Sequence, residues 1–174
     1  MNVPQSNGQL NQVSIVNCSA EAIFRATEFF TESDQPDGIK ILLSTSFKQG
    51  FLYGYGKIEH DVPAVTLNIY ELRKSATNNQ LIAELGGKDM VKTNLAYMAQ
   101  LIRAQPQGQN GPLLTNGEAN VFYVENCAGE LGPVDCNWHS SRLKWEIIGN
   151  LFSYPSRWRA GEQFFSPSAL RTEP

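Results

Sequence analysis

Alternation of apolar and polar residues at every second position restricts this chain most, because it gives a sheet one apolar face and fits no helix. Val65, Leu67 and Ile69 alternate in this way up to Arg73, after a turn at His60, Asp61, Val62 and Pro63. Upstream, Ile39, Ile41, Leu43, Thr45 and Phe47 would line one face of a strand over 39–48. Gln49-Gly50 is a turn signal, and Phe51, Tyr53 and Tyr55 alternate on the return. The expectation is a three-stranded antiparallel meander ending at Arg73.

A second meander is expected near the end of the chain. Val121, Tyr123 and Glu125 alternate first, then Val134, Cys136 and Trp138, then Leu143, Trp145 and Ile147. Each meander is preceded by an amphipathic pattern. Ser19 offers an N-cap to a helix of about three turns whose buried stripe is Ala22, Ile23, Ala26, Phe29 and Phe30. Asp89 offers another, with Val91, Leu95, Met98 and Ile102 on one face. Val13–Cys18 and Leu81–Leu85 read as further short strands. The fold class expected is α+β: a mainly antiparallel sheet of two three-stranded meanders with two amphipathic helices, in an order that a duplicated β-α-β-β-β arrangement would give.

The chain has 174 residues, within the usual size of one domain. Its composition, 41% hydrophobic and 18% charged, suits a packed core and not a disordered chain. Residues 1–12 read as a disordered lead-in and 13–174 as one α+β domain. Within it, 13–74 is the first unit, 80–149 the second, and 150–174 an aromatic C-terminal segment that packs back on the sheet. The stretch 104–117, with two prolines and three glycines, reads as a linker or surface loop. No run approaches the ~18 apolar residues of a membrane span. The polar first dozen residues lack the regions of a signal peptide, so a cytoplasmic protein is expected. Asn17-Cys18-Ser19 fits the glycosylation pattern, which matters only in a secreted chain. A net charge of −3 argues against general nucleic-acid binding. From Ser141 onward, however, the balance is +2, against −5 in the remainder.

The element order over Val13 to Ile148 resembles the paired modules of the vicinal-oxygen-chelate, glyoxalase-like architecture. That family takes its metal ligands from His and Glu on the first and last strands of each module. Glu71, Glu84 and Glu146 lie near comparable places here, but the first strand, Val13 to Val16, carries neither His nor Glu. The resemblance therefore implies a fold and leaves the metal site unfilled; neither a metal nor a cofactor is expected.

Three clusters of residues have chemical potential. Glu59-His60-Asp61 places a histidine between two acids, which can raise its pKa and make it a general base or acid. The plainer reading is a solvated hairpin turn. Cys127, Cys136 and His139 have ligand-like spacing, a Cys127–Cys136 disulfide across a hairpin is an alternative, and two reduced, buried cysteines are the plainest outcome. Tyr154, Arg157, Trp158 and Arg159 form an aromatic, locally basic group of the kind enriched in interaction hot spots. These four are the preferred binding residues, for another protein or a small anionic ligand; the plainer reading is a tail anchored by Trp158. The common nucleotide-binding and hydrolase motifs are absent. The favoured function is thus a non-enzymatic binding or protein-interaction module. The alternative is a small enzyme or small-molecule-binding domain whose cleft uses His60 with Glu59 or Asp61, or His139.

Overall fold

A strand whose successive residues are both large and apolar needs cover on both faces. Phe164 and Phe165 are such a pair; each has 0% of its surface exposed, and they lie in the middle of the main sheet. The computed structural model describes residues 8–150 and 157–169. Seven of its strands form one mixed sheet, in the order β1 (Leu10–Cys18), β5 (Val65–Leu72), β11 (Gln163–Pro167), β7 (Asn120–Glu125), β8 (Leu131–His139), β9 (Lys144–Gly149) and β3 (Ile41–Leu43). Neighbours are antiparallel except β11 with β7 and β3 with β9. Two small ribbons accompany the sheet: β2 (Glu21–Arg25) with β4 (Ile58–Val62), and β6 (Ala76–Thr77) with β10 (Arg157–Trp158).

Alternation along the strands sorts the core into two clusters. Leu67, Ile69, Phe122, Val124, Trp145 and Phe165 belong to a larger one with helix α5 (Leu95–Ala104). Leu72, Val121, Tyr123 and Phe164 belong to a smaller one with α3 (Asn78–Glu84) and α4 (Lys88–Val91). Phe165 stacks on Phe122 with ring centroids 4.4 Å apart. Burying each such side chain stabilises the fold by about 1.5–3 kcal/mol.

Buried polar side chains tie the elements together. Glu59 on β4 accepts hydrogen bonds from the Leu95 and Ala96 amides at 2.7 and 3.0 Å, capping α5 from another part of the chain. Asn78 Oδ1 accepts from both Tyr123 Oη–H and Trp158 Nε1–H, at 2.9 and 2.7 Å. Gln105 holds the loop after α5: its Nε2 donates to the Gln109 and Leu113 carbonyls, and its Oε1 accepts from the Leu113 amide. Gly108 in that loop has φ +65°, and an added Cβ would overlap the Trp138 indole. Both demands require glycine there.

The structure corrects the expected two-meander sheet. The β7–β8–β9 meander forms within the seven-stranded sheet, but 39–73 does not fold as a meander. Its strands go three ways: β3 pairs with β9, β4 with β2, and β5 with β1 and β11. Ser44 ends β3 by accepting the Phe47 amide through Oγ at 3.1 Å, which starts the short helix α2 (Thr45–Phe47) and a π turn over Lys48–Leu52. Tyr53 and Tyr55, read as strand residues, are 61% and 96% exposed. The expected helix from Ala22 to Phe30 is strand β2 followed by the single turn α1 (Ala26–Phe29), because pairing with β4 outweighs helical spacing. The expected strand Leu81–Leu85 is mostly helix α3, started by a capping box between Thr77 and Gln80. No duplicated module results, since β11 inserts between strands from both halves. The glyoxalase-like arrangement is therefore not formed. β1 also begins at Leu10, inside the stretch read as a lead-in.

Replacing Asn78 with Ala removes the acceptor of the Trp158 indole N–H and one hydrogen bond of the Tyr123 hydroxyl. The expected loss is about 2–4 kcal/mol of unfolding free energy, measured by urea denaturation, with an unchanged slope.

Candidate functional site: a cleft at the end of the β1–β5 pair

Antiparallel pairing sets Asn17 of β1 opposite Thr66 of β5, and Cys18 opposite Val65. Asn17 Oδ1 accepts the Thr66 hydroxyl at 2.7 Å. The chain leaving β11 closes on the same place: Ser168 N–H donates to the Thr66 carbonyl at 2.8 Å, and Ser168 Oγ–H to Asn68 Oδ1 at 2.8 Å. The turn before β5 is pinned by Tyr97 Oη–H, which donates to the Pro63 carbonyl at 2.8 Å. Asp89 and Met90 of α4 supply the facing wall, beyond the Gly86-Gly87 corner, whose φ values of +98° and +109° favour glycine.

These segments enclose a cleft of about 730 Å³, within the ~300–1,000 Å³ typical of small-ligand pockets. Its lining is mainly apolar, with Pro63, Ala64, Val65, Met90 and Pro167 prominent. Thr66 and Ser168 are engaged with the protein, while Asn17 Nδ2 has no partner among the described residues. Burial pushes the Cys18 thiol up to about 11, so at neutral pH it is a protonated, weakly polar wall and not a nucleophile. Two smaller recesses, of about 200 and 300 Å³, lie beside Phe51 and Gly149 and between Arg25 and Arg103.

Among the described residues, none of the clusters read from the sequence lines this cleft. Strand alternation separates Glu59, which is buried and spent on capping α5, from His60, which is exposed. Burial raises the Glu59 pKa against the pull of its two amide donors. Asp61 lies within β4 and not in a turn, with φ +49°. Cys127 and Cys136 are free. Glu125 pairs with Leu131 at the closed end of the β7–β8 hairpin, and Cys136 pairs with Asn120 at the far end, which keeps the thiols apart. No group of three or more His, Cys, Asp or Glu side chains suited to a metal occurs among the described residues. Glu84 is spent on the Gln9 and Leu10 amides, and Glu146 on His139.

Of the preferred binding residues, Tyr154 lies outside the described residues. Trp158 is 7% exposed and packs edge-on against Phe164, with its N–H on Asn78. It is therefore an anchor and offers no free face for stacking. Arg157 and Arg159 are exposed, the first reaching Ser75 Oγ at 3.3 Å and the second Glu118 at 3.7 Å. Asp135, an acid between the buried Val134 and Cys136 of β8, belongs to no motif in the sequence and is itself buried. Its Oδ2 accepts from Asn137 Nδ2 at 3.0 Å, and its Oδ1 has no hydrogen-bond partner among the described residues. Burial pushes its pKa up to about 7, opposed by the Asn137 bond and aided by the charges of Glu162 and Glu146.

Comparison with protein-family models, curated protein sequences and solved structures finds nothing that matches the chain. No helix among the described residues is long and apolar enough to cross a membrane.

Between the unfolded value near 3.8 and the folded value near 7, Asp135 holds a proton in the folded state that the unfolded state has lost. Its contribution to stability therefore falls as pH rises through that window. Asp135→Asn should raise stability at pH 8 by on the order of 2–4 kcal/mol and change little below pH ~4, as measured by urea midpoints across pH.

Proposed function

We propose that the chain is a binding module that holds a small, mainly apolar molecule in the cleft between the β1–β5 pair and α4. The cleft's size and apolar lining carry this reading: it is large enough to enclose a ligand of drug-like size. The hydrogen bonds among Asn17, Thr66, Asn68 and Ser168 fix its floor before a ligand arrives, which lowers the ordering cost of binding. Met90 is 42% exposed at its rim, and an unbranched thioether adapts to different apolar shapes. Asp89 is the charged side chain in the lining among the described residues, so an uncharged or cationic ligand fits better than an anion. Asn17 Nδ2 supplies one hydrogen-bond donor to orient it.

The test is a titration of the ¹⁵N-labelled protein with indole and a series of aryl and aliphatic alcohols. Amide shifts are expected to concentrate at Val65, Thr66, Met90 and Ser168. Ala64→Trp fills the cleft from an exposed position and should weaken binding by about tenfold, or about 1.4 kcal/mol, with the remaining amide spectrum retained. Shifts clustered at another surface, or an Ala64→Trp protein that binds unchanged, would remove the cleft as the site.

A further inference from the structure

Among the described residues, β1 is the longer unpaired edge of the main sheet: it has nine residues, against three for β3 at the other edge. In an antiparallel sheet each residue turns both of its backbone groups toward the same neighbouring strand, and successive residues alternate. Thr66 and Leu72 of β5 turn toward β11, since their carbonyls accept from the Ser168 and Gly161 amides. Val65, Leu67 and Ile69 therefore turn toward β1, where their partners are Cys18, Val16 and Ser14. The backbone groups of Ile15 and Asn17 consequently point away from the sheet. Neither N–H has a partner among the described residues, and the one contact to the Ile15 carbonyl is the Ser14 hydroxyl at 3.3 Å.

Free edges of this length are usually blunted by lysine, proline or a covering segment. From Leu10 to Cys18 the chain has no charged residue and no proline, and Ile15 is 56% exposed. One blunting device is present, a register shift at Val13 between Gln12 and Ser14. It limits the regular edge to Ser14–Cys18 without closing it.

We propose that this edge pairs antiparallel with the same edge of a second copy of the chain, about a two-fold axis at Val16, joining two seven-stranded sheets into one. Ile15 of each copy exchanges both backbone hydrogen bonds with Asn17 of the other, Val16 meets Val16, and Ser14 faces Cys18. An uncharged strand places no like charges opposite one another when it meets itself, and a two-fold pairing closes the assembly at two copies. The outward backbone groups are self-complementary about Val16, since Ile15 and Asn17, the two residues that turn away from β5, meet each other across the axis, and this makes a second copy the occupant that fits. Ile15 of the second copy then lies beside Asn17 at the rim of the cleft, where exposed Met90 can cover it. The pairing rests on the outer edge of β1, independently of any ligand in the cleft.

Sedimentation velocity on the full chain is expected to give twice the chain mass at micromolar concentration. Ile15→Pro deletes an outward N–H that the single copy does not use. It should raise the dimer dissociation constant by about tenfold or more, with the circular dichroism spectrum and the thermal midpoint of the dilute protein unchanged. Ile15→Lys, which keeps the N–H but adds a charge to the edge, should do the same. Val16→Pro, in contrast, removes an N–H turned toward β5 and should destabilise the single copy. A wild-type chain that stays monomeric up to its solubility limit overturns the proposal and leaves the edge to a strand of another protein. A dimer that survives both Ile15 substitutions overturns it too. Amide shifts on adding indole read the cleft separately, so failure of one proposal is distinguishable from failure of the other.

Discussion

The sheet is held as one body by the insertion of β11 between β5 and β7. On one side of that strand lies only the β1–β5 pair; on the other lie β7, β8, β9 and β3. Without β11 the two groups would present unpaired edges to each other, and Phe122 and Tyr123 would lose their Phe165 and Phe164 ring partners. The cleft inherits its geometry from the same insertion. Ser168, just past the end of β11, reaches Thr66 and Asn68, and α4 packs on β11 to bring Met90 to the facing wall.

A second feature is the use of single buried polar side chains where a longer stretch of secondary structure would otherwise be needed. Glu59 supplies acceptors to α5, whose own cap residue, Asn94, makes no side-chain cap bond. Asn78 joins segments far apart in the chain, and Asn120 ties the loop at Leu114 to the Cys136 carbonyl of β8. Each bond contributes modestly, but its removal strands a buried partner, so these side chains fix which elements meet. Asp135 differs, since half of its carboxylate goes unanswered.

Local alternation was legible in the strands around Val65–Ile69, Val121–Glu125 and Val134–Trp138. It did not reveal that β7 buries side chains on both of its faces. Pairing partners were not legible, since a free edge such as that of β3 is satisfied equally well by a neighbouring hairpin or by the distant β9. The segment from Ala22 to Phe30 carried apolar residues at spacings compatible with both helix and strand, and only contact with β4 decides between them. The capping box between Thr77 and Gln80 outweighs the short apolar run that follows it. The cleft could not be read at all: Asn17, Ala64, Met90 and Ser168 carry no common motif, and topology alone brings them together. The basic, aromatic group around Trp158 misled for the opposite reason, because residue types suited to recognition also suit anchoring.

The segment after α5 has the composition of a linker, yet Gln105 is 1% exposed and Leu113 2%. The Leu113 amide bonds to Gln105 Oε1, and the Gln105 carbonyl accepts the indole N–H of the fully buried Trp145. Opening this loop therefore breaks bonds that also secure the end of α5 and the start of β9. Its amides should exchange with solvent on the timescale of the sheet and not of a surface loop. A stretch rich in glycine and proline is thus tied to the core at Gln105 and Leu113 and is not built as a hinge.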